Sequence, residues 1–196
     1  MRPAGEITVI LRKVNDRHDG ALSELWDACY REIHSMSRHA LGRWRTLSEL
    51  QPTVVLHEAF VKLHGGRSST PWQNRVHYFG SAKNAIAQIL TDESRRRGVR
   101  EDTIVQERLR EHLRPSEAQP GRALPAAEML DDSALLERAF TELRRDYARV
   151  AEVVHLRVIS DLTIEEIAEQ LGVSRRTAQS DWSFGLAFLA ERVNAQ

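Results

Sequence analysis

The sequence predicts an all-α protein: two small helical domains joined by a flexible linker. Three observations carry that expectation. Apolar residues recur at three- and four-residue intervals in both halves of the 196-residue chain, which is the spacing of amphipathic helices. No stretch alternates apolar and polar residues in the manner of a strand. Between residues 98 and 127 the pattern weakens, and Pro115, Pro120, Gly121 and Pro125 stand among charged residues, a composition that buries too little apolar surface to offset ordering. The expected divisions are therefore 1–98, 99–129 for the linker, and 130–196.

Taken in order, helices are expected over 7–14, 21–41 and 54–63. In the second, Leu22, Leu25, Trp26, Cys29, Ile33 and Met36 fall at helical spacing. The pair Asp19 and Gly20 separates the first two helices, and Pro52 suits the first turn of the third, where no amide hydrogen is needed. Gly65, Gly66 and Pro71 mark a loop before a fourth helix over 74–96. Within the linker, 104–113 can form one short helical piece. Helical periodicity returns in Leu135, Leu136, Ala139, Phe140 and Leu143, and again in Val150, Val153, Val154 and Ile159.

Composition excludes several function classes. Lys plus Arg and Asp plus Glu number 28 each, so the net charge is zero and any electrostatic signal must be local. The single cysteine, Cys29, rules out an internal disulfide, and its apolar surroundings read as core. The apolar run at 7–11 is too short for a signal peptide or a membrane span, so a cytoplasmic protein without membrane insertion is expected. No phosphate loop, nucleophile elbow or metal-ligand pattern is present. The pairs His34 with His39 and His57 with His64 bring no third ligand, so neither catalysis, metal nor cofactor is expected.

Residues 162–180 carry every part of a helix-turn-helix. Thr163 followed by Glu166 forms a capping box, Ala168 is small where the second helix must cross closely, and Gly172 permits a left-handed turn. Ser174 then caps the second helix, in which Ala178, Trp182, Gly185, Leu186 and Leu189 fall inward. That leaves Ser174, Arg175, Arg176, Thr177, Gln179 and Ser180 at the amino end to meet duplex DNA. Arginine bonds guanine edges bidentately in the major groove, and glutamine does the same with adenine. The motif alone says only that DNA is bound, since repressors and response-regulator output domains carry it too.

With these residues the chain resembles the sigma-70 family, specifically the small extracytoplasmic-function (ECF) type of RNA polymerase sigma factor, over nearly its whole length. The resemblance implies that 1–98 is sigma region 2 and 130–196 sigma region 4, whose run 150–180 reads the minus-thirty-five element. It implies that Val55, Leu56, His57, Glu58, Ala59, Phe60, Val61, Lys62 and Leu63 belong to the polymerase-binding helix, with Thr53, Val54, His57 and Glu58 as contacts. Residues 72–97, in region 2, would open and hold the minus-ten element, with Trp72, Asn74, Arg75, Tyr78, Lys83, Asn84, Arg95, Arg96 and Arg97 on the melted strand. Residue chemistry supports this, because aromatic rings are interleaved with basic groups and 83–100 holds five basic and two acidic residues, a local charge of +3. The same aromatics could equally fill the core. Core RNA polymerase and promoter DNA are the implied partners, with a Ser/Thr kinase or an anti-sigma factor as further ones. A one-component regulator would share the helix-turn-helix and use its first domain to sense a ligand.

One departure from the family pattern stands out. Factors of this type usually begin the polymerase-binding helix with an acidic pair that meets basic residues on the polymerase clamp, and here Thr53 and Val54 occupy those places. Glu49 lies one turn before and Glu58 one turn after. The chain resembles subgroups that lack the pair and are switched on by a Ser/Thr kinase. Phosphate on Thr53 would add about −1.5 to −2 charge near a helix start, where backbone amides favour an anion. The alternative is that Thr53 only caps or starts the helix.

Overall fold

The computed structural model describes residues 4–44, 47, 49–65, 71–99, 103–105, 108–109 and 133–194, and among them there is no strand. Two compact units divide the chain, Met1–Ser94 and Arg95–Gln196. The first is built from α1 (Ala4–Asn15), α2 (Ala21–Gly42), α3 (Pro52–His64) and α4 (Arg75–Arg96), the last two residues of α4 falling with the second unit. The second holds α5 (Ser133–Asp146), α6 (Ala148–Val158), α7 (Ile164–Leu171) and α8 (Arg175–Asn194).

In the first unit α2 packs against both α1 and α3. Its buried stripe is Ala21, Leu25, Cys29, Ile33, Ser37 and Leu41, a strict four-residue step that keeps one line of side chains facing its neighbours. Two members of the expected apolar face fall off that line: Leu22 is 42% exposed and Met36 only half-buried. Ser37 enters the stripe because its hydroxyl donates to the Ile33 carbonyl at 2.9 Å, so no polar group is left unpaired. Cys29 is buried as expected, and burial, helped by the nearby Glu32 carboxylate, pushes its thiol up to about 12. α4 is covered on most sides, burying His77, Tyr78, Phe79, Ala82, Ile86 and Leu90 among others. Asn74 precedes it and accepts the His77 amide hydrogen at 3.0 Å, the bond of a helix cap.

Part of the expected linker is packed. Ile104, Val105, Arg108 and Leu109 are buried and group with the second unit. Apart from Val99 and Thr103, the rest of the expected linker lies outside the described residues. In the second unit α8 packs against α5, α6 and α7 together. Gly185 permits a close approach of α8 to α6, since a Cβ there would sit 2.5 Å from Val154 Cγ2 and 3.0 Å from Val150 Cγ1.

Candidate nucleic-acid interface

The turn grammar at 162–180 appears in the structure bond for bond. Thr163 is the N-cap of α7: its hydroxyl accepts the Glu166 amide at 3.2 Å, and the Glu166 carboxylate accepts the Thr163 amide at 2.8 Å. Gly172 closes the helix with φ 65°, and the Val173 amide reaches back to the Ala168 carbonyl at 3.0 Å. Ser174 then accepts the Thr177 amide at 3.0 Å and starts α8. Upstream, Arg157 Nη1 donates to the Leu162 carbonyl at 2.7 Å, which fixes the chain entering α7. Beneath the turn Val153, Leu156, Leu162, Ile167, Ala168 and Ala178 form a buried cluster, with Trp182 packed against it.

This packing decides which side of α8 faces outward. Ala178, Gly185, Leu186 and Leu189 are buried, and Trp182 is half-buried. Arg175, Arg176, Gln179 and Ser180 are exposed, while the Ser174 and Thr177 hydroxyls lie 2.8 Å apart. Arg175 Nη2 meets the Glu165 carboxylate of α7 at 2.9 Å, with both side chains largely exposed. Gln179 Nε2 lies 3.5 Å from the Ser183 hydroxyl. A second tie, Arg149 to the buried carboxylate of Asp181 at 2.7 and 3.2 Å, locks α8 to α6. One feature has no counterpart in the sequence reading: Tyr147, Phe184 and Phe188 gather at one surface, with Tyr147 and Phe184 exposed and Arg192 over the Phe188 ring at 4.8 Å. The four-residue step from 184 to 188 was the available signal, but its partner Tyr147 is too distant in sequence.

In the first unit the candidate strand residues separate by environment. Tyr78 is completely buried, and its hydroxyl lies 3.2 Å from His64 Nε2. Burial raises the Tyr78 hydroxyl far above its ordinary range and lowers His64 to about 4, so both are neutral near pH 7. Arg75 is committed internally: Nη2 meets both Glu32 oxygens at 2.6 and 2.8 Å, and its guanidinium sits 5.0 Å from the Phe79 ring. The core, not solvent, therefore receives Tyr78 and Phe79. The Trp72 ring stays half-buried, edge-on to Tyr78 at 5.2 Å. Lys83 and Asn84 are half-buried and Arg95, Arg96 and Arg97 exposed. From Arg75 to Arg96 the helix rises about 30 Å, so these residues make a stripe, not a pocket. Asn84, Gln88 and Arg95 share one face of the helix, while Lys83 lies about 100° round. The four-residue step from Asn84 could have found Gln88.

On α3 the exposed residues Thr53, Val54, His57, Glu58 and Val61 form one continuous face. Gln51 holds the N-cap position with no side-chain cap bond and Pro52 follows, so Thr53 sits one place inside the helix and does not cap it. The first turn contains no acidic residue. His57 Nδ1 lies 2.7 Å from the Thr53 carbonyl, and its ring lies tilted against Trp26 at 5.2 Å. Among the described residues no group of His, Cys, Asp and Glu could hold a metal, and no helix is long and apolar enough to cross a membrane.

An all-helical second unit with a fully capped turn and an exposed, basic-ended second helix defines a helix-turn-helix DNA-binding protein. The ECF sigma factor family model matches residues 4–195, and the chain belongs to that family. Membership implies RNA polymerase binding and promoter-specific initiation, and the family's members are regulators, not enzymes. Neither a curated protein nor a solved structure matches the chain.

Proposed function

We propose that the exposed face of α3 docks the chain on core RNA polymerase and that phosphorylation of Thr53 switches this docking on. The observation that supports the reading is the exposed face of α3, whose first turn has no carboxylate and whose second residue is an exposed threonine. A clamp surface that pairs with carboxylates meets a neutral group there, so the unmodified chain binds weakly. Phosphate supplies negative charge and acceptor oxygens at a helix start, each charge-assisted bond contributing about 1.5–3 kcal/mol. That corresponds to about one to two powers of ten in affinity.

In the same reading α8 enters the major groove of the minus-thirty-five element, with Arg175, Arg176 and Gln179 on base edges and Ser174, Thr177 and Ser180 at its amino end. Trp72, Asn84 and the basic end Arg95, Arg96 and Arg97 hold the melted minus-ten strand, joined by Gln88, with Lys83 on a flanking face. Tyr78 and Arg75 act behind that surface, as the wall and the tie beneath Trp72. A Ser/Thr kinase is the partner this switch requires.

The test is promoter-specific transcription by core polymerase with the purified chain, before and after kinase treatment. Thr53→Ala is expected to fold normally yet give no kinase-dependent transcription, and Thr53→Glu to restore part of it. A Thr53→Ala chain that transcribes as well as wild type refutes the switch and makes Glu49 and Glu58 the next candidates for the missing charge.

A further inference from the structure

We propose that Asn15 is the positioning residue for Trp72, holding the indole ready for the melted strand; this rests on the reading of Trp72 as a strand contact. Asn15 is the last residue of α1 and lies 57 positions before Trp72 in the chain. Its carboxamide Nδ2 donates to the Trp72 carbonyl at 2.8 Å, and its Oδ1 accepts the Trp72 amide hydrogen at 2.9 Å. One side chain thus satisfies both backbone polar groups of a residue that no helix or sheet ladder serves. A carboxamide supplies a donor and an acceptor together, whereas aspartate offers acceptors alone and lysine donors alone.

The consequence is a preset indole. With its backbone fixed at both polar groups, the Trp72 ring rests edge-on against the buried Tyr78 ring at 5.2 Å and beside His77 at 5.6 Å. Three residues further on, Arg75 is anchored by Glu32 of α2. The short segment before α4 is therefore tied independently to α1 and to α2, at two points that bracket Asn74. A stacking surface held in place before its ligand arrives loses less freedom on binding, and affinity rises accordingly.

The experiment measures binding of a fluorescent single strand, selected from a random pool for dependence on this chain, to core polymerase saturated with the full-length chain. Wild type is compared with Asn15→Ala, Asn15→Asp, Trp72→Ala and the Asn15→Ala/Trp72→Ala double variant. Asn15→Ala is expected to weaken strand binding about tenfold. Asn15→Asp is expected to fall between it and wild type, since it keeps the acceptor for the Trp72 amide and loses the donor. The double variant binds no more weakly than Trp72→Ala alone, while all variants remain folded at the assay temperature and keep wild-type polymerase affinity. Additive losses, an Asn15→Ala loss that tracks unfolding, or unchanged binding by Asn15→Ala beside a weakened Trp72→Ala each overturn the inference. Unchanged binding by Trp72→Ala overturns the strand reading on which it rests.

Discussion

Two neighbouring arginines illustrate how differently one residue type can be placed. Arg175 is steered by Glu165 at 2.9 Å across the turn, whereas Arg176 is exposed one residue on, about 100° round the helix. If each bonds a guanine edge, alanine there costs about 1–3 kcal/mol in promoter binding and relaxes specificity at one base pair. A uniform loss on all sequences, read by competition binding, would instead place the side chain on phosphate. At Gly185 even one added methyl group meets crowding. Its missing Cβ lies 2.5 Å from Val154 Cγ2, and both Val154 and Val150 are buried and cannot step aside freely. Gly185→Ala is expected to destabilise the second unit by about 1–3 kcal/mol, seen as a lowered melting temperature. An unchanged melting temperature would mean that α8 can slide on α6.

Elements were legible in the sequence wherever a local rule governs them. The caps at Thr163, Gly172 and Ser174 depend on bonds within a few residues, so the sequence alone displays them, and the buried side of α8 follows from its spacing. The strand-facing surface was less legible, because Trp72, Tyr78 and Arg75 belong to one interleaved aromatic and basic pattern yet are sorted by partners far along the chain: Asn15, His64 and Glu32. Periodicity places a side chain on a helix face but does not say which distant helix covers that face. The Thr53 position was readable as a missing charge, and the structure adds that Gln51 takes the cap place. At the junction of α3 and α4 a pH dependence follows. His64 has a folded value near 4 against an ordinary 6.5, lowered by burial. The unfolded chain therefore binds the extra proton first as pH falls, and the stability of the first unit declines from pH 6.5 down to about 4. His64→Gln, which keeps a partner for the Tyr78 hydroxyl, is expected to flatten that part of the stability curve. Denaturant melts with equal slopes for both chains across this window would refute it.

For the whole molecule, the division into Met1–Ser94 and Arg95–Gln196 predicts that each unit unfolds by itself. The His64 and Tyr78 pair lies in the first and the Gly185 approach in the second, so the two perturbations fall in different units. Costs at distant sites without shared partners add to within about 0.5 kcal/mol. The reporters are already divided, with Trp26, Trp44 and Trp72 in the first unit and Trp182 alone in the second, packed under the helix-turn-helix. Replacing the first three by phenylalanine leaves Trp182 fluorescence as a readout of the second unit. In that background Gly185→Ala should lower the Trp182 transition by the same amount at pH 7 and pH 5. His64→Gln should leave the Trp182 transition where it was at both pH values, and the double variant should match Gly185→Ala alone. A Trp182 transition that shifts with His64→Gln would show that the units unfold together, and the separate stability of the two would be refuted.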